Sequence, residues 1–161
     1  MNIDRMLEVL NGHKTDFLVI GGVNFMFRHS PELTYDLDIW VQDTDQNLLT
    51  LNSALRDLGA EWGATDESWG AVPGNPEWLK RQGMYCLITR EGPLDVFRDV
   101  RGLEGRYDEC ARAAVLAKTR AGMLFRGLSD RHMLETQLVL PPGEQKPTRI
   151  ATLRRALGIE S

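Results

Sequence analysis

Tyr35-Asp36-Leu37-Asp38-Ile39-Trp40-Val41 alternates polar and apolar side chains as a β-strand does, yet it spends two polar positions on carboxylates. Period-two geometry sends Asp36 and Asp38 out of the same face, about 6 to 7 Å apart along the backbone. Two like charges placed together on an ordered strand need a counterion. A divalent metal is the simplest one that makes the placement useful, while lysines or arginines would serve structurally.

Upstream, Phe17-Leu18-Val19-Ile20 reads as a short buried strand broken by Gly21-Gly22, and Val23 to Arg28 read as the helix that follows. Pro31 closes that element before the acidic strand, which is expected to begin near Thr34. If the helix folds back, Gly21-Gly22 lies near the two aspartates. Glycines at a strand-to-helix turn let a phosphate approach closely, and the first turn of the helix presents unpaired N–H groups to it. The turn is neither a Walker loop with its lysine nor a Rossmann glycine pattern. Downstream, Leu94-Asp95-Val96-Phe97 sets a third carboxylate among apolar neighbours, on a strand joined to Met84-Tyr85-Cys86-Leu87-Ile88 by a turn at Arg90-Glu91-Gly92-Pro93.

The remaining chain supplies packing elements. A first helix is expected from Asp4 to Leu10, ended by Gly12, and Thr44 caps a helix in which Leu48, Leu51, Leu55 and Leu58 recur at helical spacing. Residues 63 to 83 hold Trp69, Pro73, Pro76 and Trp78 without periodicity, as a long surface excursion does. Its tryptophans suit core packing better than base stacking. An Ala-rich helix is expected from Glu109 to Phe125, a helix capped by Ser129 runs to Pro141-Pro142, and a short one covers Thr148 to Leu157. The fold class is α/β (α+β): a small mixed β-sheet backed by helices, in one domain over residues 1–161, with residues from about 109 to 161 mainly helical.

With 161 residues and 42% hydrophobic content the chain can bury a core of its own. A net charge of -4 argues against a broad nucleic-acid-binding surface. Cys86 and Cys110 have no metal-ligand spacing, so neither a disulfide scaffold nor a structural zinc site is expected. No signal-peptide pattern or membrane-length apolar run is present, and the expected location is cytoplasmic.

Taken together, the strand, Gly21-Gly22, the helix, Asp36-Leu37-Asp38 and the later Asp95 resemble the nucleotidyltransferase superfamily, the fold of polymerase beta, antibiotic nucleotidyltransferases and minimal stand-alone nucleotidyltransferases. The resemblance covers residues 17 to 41, with weaker support as far as Phe97. It implies a nucleoside triphosphate as substrate with Mg2+ or Mn2+ as cofactor. Asp36, Asp38 and Asp95 would hold the metals, and Asp95 would help remove the acceptor proton. Gly21 and Gly22 would shape the phosphate turn; Arg28, read from its place in the sequence, either contacts phosphate as well or caps the C-terminal end of its helix. It also implies transfer of a nucleoside monophosphate to a hydroxyl acceptor on a small molecule, RNA or protein, with pyrophosphate released. The chain departs from the pattern at Glu32, where many relatives carry an arginine; Arg28, Lys80, Arg81 or Lys118 would have to restore that charge. The alternative is a noncatalytic regulatory or protein-interaction module on the same fold.

Overall fold

A computed structural model describes residues 1–159. Helix α1 (Ile3–Gly12) leads into β1 (Phe17–Ile20), which turns directly into α2 (Gly21–Arg28) and returns as β2 (Leu37–Val41). After α3 (Asp45–Asp57) come two short strands, β3 (Glu61–Trp62) and β4 (Gly70–Ala71), then a 3-10 turn over Pro76–Lys80. The hairpin β5 (Met84–Thr89) and β6 (Gly92–Phe97) precedes α4 (Tyr107–Ala113), β7 (Val115–Lys118), β8 (Leu124–Gly127), α5 (Asp130–Leu138) and α6 (Pro147–Leu157). The strands form one mixed sheet in the order β4-β3-β5-β6-β2-β1-β8-β7.

Alternation along the central strands divides the core between the two faces of the sheet. Leu37, Ile39 and Val41 of β2 and Leu94 and Val96 of β6 pack with Met6, Leu7 and Leu10 of α1 and Leu48, Leu51 and Leu55 of α3. Trp40 belongs to the opposite face, with Leu18, Ile20, Phe25, Met133, Ile150 and Leu153 from β1, α2, α5 and α6. Period two puts Asp38 on the Trp40 face and Asp95 on the Phe97 face, so both carboxylates look towards α5 and α6. The caps fall where short polar side chains stand: Thr44 Oγ1 accepts from the Asn47 N–H and Ser129 Oγ from the His132 N–H.

Three stretches differ from the sequence reading. The acidic strand begins at Leu37 rather than near Thr34, leaving residues 31–35 as an irregular loop. The Ala-rich run is not one helix to Phe125: α4 stops at Ala113, Ala114 turns extended at ψ 148°, and the chain continues as the hairpin β7–β8, with Gly122 at φ +89° in its turn. Pairing of β8 with β1 at Val19↔Gly127 overrides the modest helix preference of the alanines. Among the described residues the C-terminal part therefore consists of three helices, α4, α5 and α6, with the β7–β8 hairpin between the first two. Within residues 63–83 one tryptophan is core: Trp78 is buried and donates its indole N–H to Asn52 Oδ1 at 2.8 Å, whereas Trp69 is 43% exposed.

Candidate active site

Strand register assembles the carboxylates. β2 and β6 run parallel with Asp38 opposite Asp95, and β1 runs antiparallel to β2 with Ile20 opposite Asp38. Asp36 precedes β2 by one residue. One carboxylate oxygen from each of Asp36, Asp38 and Asp95 lies within 4.8 Å of the others, and all three residues are partly buried. β5 extends the row, since Cys86 stands opposite Asp95.

Crowding like charges in a partly dry cleft raises their proton affinity. Burial, then the charges of Asp36 and Asp95, pushes Asp38 up to about 8. Asp95 rises to about 6, through burial and the Asp36 charge. Cys86 is also raised, by burial and by Asp95 beside it. The three oxygens form a hard anionic donor set whose electrostatic deficit a divalent cation would remove, which fits the ion expected from the sequence.

Gly21 lies against Asp38, and Gly22 faces Thr34 and Glu32. Gly21 has φ +66°, and a Cβ there would overlap Asp38 Oδ2 and lie 3.1 Å from Asp38 Cγ. Only glycine fits both the backbone angle and the space. A Cβ on Gly22 would meet Thr34 Oγ1 at 3.0 Å and Glu32 Oε1 at 3.4 Å. Ile20 caps α2 without any side-chain hydrogen bond, so the first-turn N–H groups of this helix receive no side-chain cap.

Arg28 is elsewhere. It stands at the C-terminal end of α2, about 10 Å along the axis from Gly21, donating to Leu128 O at 2.5 Å and to Asp130 Oδ1 at 2.8 Å. With Asn24, which donates to Leu128 O at 2.9 Å, it ties α2 to the β8–α5 junction. Lys80 pairs with Asp45 and Glu77, and Lys118 is exposed on β7. The cations that reach Glu32 come instead from the start of α6. Arg149 pairs with the Glu32 carboxylate through its guanidinium, and Lys146 Nζ is 3.2 Å from Glu32 Oε1. Burial pushes Glu32 up, but Arg149 and Lys146 outweigh it and hold the carboxyl below its usual range. Arg149 is buried, lies 5.2 Å from the centre of the Phe25 ring, and helps hold Asp38 in its charged form. It also lines a cleft of about 310 Å3 that runs from Gly21 and Asp38 to Phe97, Met133 and Gln137.

Arg149, Lys146 and Cys86 are the neighbours of the site that sequence reasoning missed. Cys86 had a signal: a two-residue turn at Arg90-Glu91 makes it the hairpin partner of Asp95. Arg149 sits 117 residues from its partner, on a helix with no motif.

By sequence the chain matches no protein-family model and no curated protein. Its structure is similar to that of a Thermotoga maritima protein assigned to the nucleotidyltransferases, at 16% identity over 97% of this chain and 90% of that one, TM-score 0.55. It is similar to ANT(2")-Ia in complex with adenylyl-2"-tobramycin, at 13% identity over 97% and 87%, TM-score 0.57. A lincomycin-bound lincosamide antibiotic adenylyltransferase, LnuA, aligns at 13% identity over 97% and 94%, TM-score 0.54. At these identities the likeness is one of fold, and the fold is nucleotidyltransferase-like. Among the described residues no helix is long and apolar enough to cross a membrane.

Proposed function

We propose that this chain, read as one domain, is a metal-dependent nucleotidyltransferase that moves a nucleoside monophosphate from a nucleoside triphosphate to a hydroxyl acceptor and releases pyrophosphate. The observation that carries the reading is the meeting of Asp36, Asp38 and Asp95 oxygens within 4.8 Å of one another, against a glycine turn with no room for a side chain. Asp36 and Asp38 would hold the Mg2+ or Mn2+ that accompanies the triphosphate, and with Asp95 a second ion near the acceptor. Bound there, such ions supply charge neutralisation at the phosphates and acidify the attacking hydroxyl.

The chain's own groups do the rest. Backbone N–H groups at Gly21 and Gly22 receive phosphate oxygens at the positive end of α2. Asp95, the carboxylate on the neighbouring strand, takes the acceptor proton. The hydroxyl oxygen attacks the α-phosphorus in line as the bond to the bridging oxygen breaks, and pyrophosphate carries away the electron pair. Arg149 replaces Arg28 as the cation of the phosphate region. The cleft beside Asp38 has the size of a small-molecule site, and the solved neighbours include proteins holding tobramycin and lincomycin species. A small hydroxylated acceptor is therefore the favoured class.

The test is incubation with each labelled nucleoside triphosphate, Mg2+ or Mn2+, and a fractionated small-molecule extract. Label transfer with pyrophosphate release in the wild type, absent in Asp38→Asn, is the expected result. Transfer that persists in Asp38→Asn would refute the reading.

A further inference from the structure

Glu32 is the anomaly of this site. An acidic side chain stands against the first turn of α2, where the proposed function puts an anionic substrate. Its Oε1 lies 3.4 Å from the point a Gly22 Cβ would occupy, and the same oxygen takes the Lys146 ammonium at 3.2 Å and the Arg149 guanidinium. The guanidinium is buried and flanked by Phe25, so it can turn to another anion only within a small radius. Gly21 and Asp38 border the same cleft as Arg149.

We propose that Glu32 is a stand-in for the substrate's phosphate: it neutralises Arg149 and Lys146 in the free protein and yields both cations to a triphosphate oxygen on binding. This rests on the nucleotidyltransferase reading and names residues beyond it. A phosphate cannot share the α2 terminus with a carboxylate, because each would oppose the other's charge in a partly desolvated place. A buried arginine, in turn, needs an anion at all times. Exchanging one anion for another satisfies both conditions. Without it, Arg149 would lie uncompensated before binding, or Glu32 would do so after it. The exchange also moves the backbone that carries Glu32. Residues 31–35 hold no regular structure, Leu33 and Tyr35 are 77% and 72% exposed, and the Glu32 ion pairs tie this loop to α6. Loss of those pairs releases the loop beside Asp36.

The experiment is a double-mutant cycle read by calorimetric titration of inorganic triphosphate with Mg2+ into wild type, Glu32→Gln, Arg149→Gln and the double variant, with Asp38→Asn alongside. Lys146→Gln, which removes the other cation on Glu32, replaces Arg149→Gln if the latter does not fold, and its background is then read in place of the one without Arg149. Removing the competing charge should tighten triphosphate binding about tenfold where Arg149 is present and by less than about threefold where it is not. Amide exchange over residues 30–36 of the wild type should rise on saturation. Equal effects of Glu32→Gln in both backgrounds, no tightening at all, or unchanged exchange overturn the exchange mechanism while leaving Asp38-dependent binding intact. Binding that ignores Asp38→Asn overturns the metal reading instead, and absence of binding in every variant overturns both.

Discussion

Replacing Asp38 by asparagine should stabilise the metal-free protein and abolish its response to divalent ions. Asp38 has a carboxyl pushed from 3.8 up to about 8 by burial and by Asp36 and Asp95. A group raised in the folded state contributes most below its unfolded pKa, so here stability is lost as pH climbs from about 4 to about 8. At about 1.4 kcal/mol per pH unit the ceiling on that loss is about 6 kcal/mol. The cleft is open to water and the charge is shared with Asp95, so screening brings the figure to about 2 kcal/mol. For a chain of this length that is about 4 to 8 °C in Tm. The amide of the Asp38→Asn variant has no charge to confine, so the variant's metal-free Tm at pH 8 should exceed that of wild type by this amount, with the gap closing towards pH 4. Added Mg2+ or Mn2+ should raise the wild-type Tm, more at pH 8 than at pH 6 because fewer protons compete, and leave Asp38→Asn unmoved. Scanning calorimetry of both proteins at pH 4, 6 and 8, with chelator and with metal, measures all of this. A metal-free Asp38→Asn protein less stable than wild type at pH 8, or one that metal stabilises equally, would refute the idea that uncompensated carboxylate charge defines the site.

Gly21→Ala should cost about 1 to 3 kcal/mol, since alanine meets both a left-handed backbone angle and the Asp38 carboxylate. Urea denaturation measures the loss, and the metal-induced rise in Tm should vanish with it. Arg149→Met leaves Glu32 with only the exposed Lys146 as a counterion and should destabilise by about 2 to 3 kcal/mol. Adding Glu32→Gln should recover at least half of that, and a double variant no better than the single one would contradict the pairing. Trp78→Phe loses the bond to Asn52 and part of a cluster in which the Tyr85 ring lies 4.9 Å away. About 2 to 3 kcal/mol of stability should go while triphosphate affinity stays unchanged; weakened binding at full folding would contradict a purely structural role for Trp78.

What could be read along the chain and what could not divide by how each residue reaches the site. The carboxylates ride on strands, and a strand's phase is written locally. Leu37, Ile39 and Val41 must enter one core layer, which commits Asp38 to the other face, and Leu94 with Val96 commits Asp95 in the same way. Glycine at position 21 was legible because a strand runs straight into a helix there. What remained was whether β2 and β6 would be neighbours, and the short span of each left that to the whole sheet. Cations obey no such phase. An arginine of α6 can serve a glutamate 117 residues away because its long side chain needs only an approximate origin, so neither Arg149 nor Lys146 carries a local mark. The same asymmetry explains why Arg28, near in sequence to the glycine turn, lies away from it in space: seven residues of helix carry it to the far end, where Asp130 holds it. Residues 109–125 misled for a third reason. Alanine and lysine favour helix only when nothing else competes, and here the open side of β1 offered a pairing that a local reading cannot count. Glu32, which read as a lost positive charge, is better understood as the visible half of an ion pair whose other half the fold supplies.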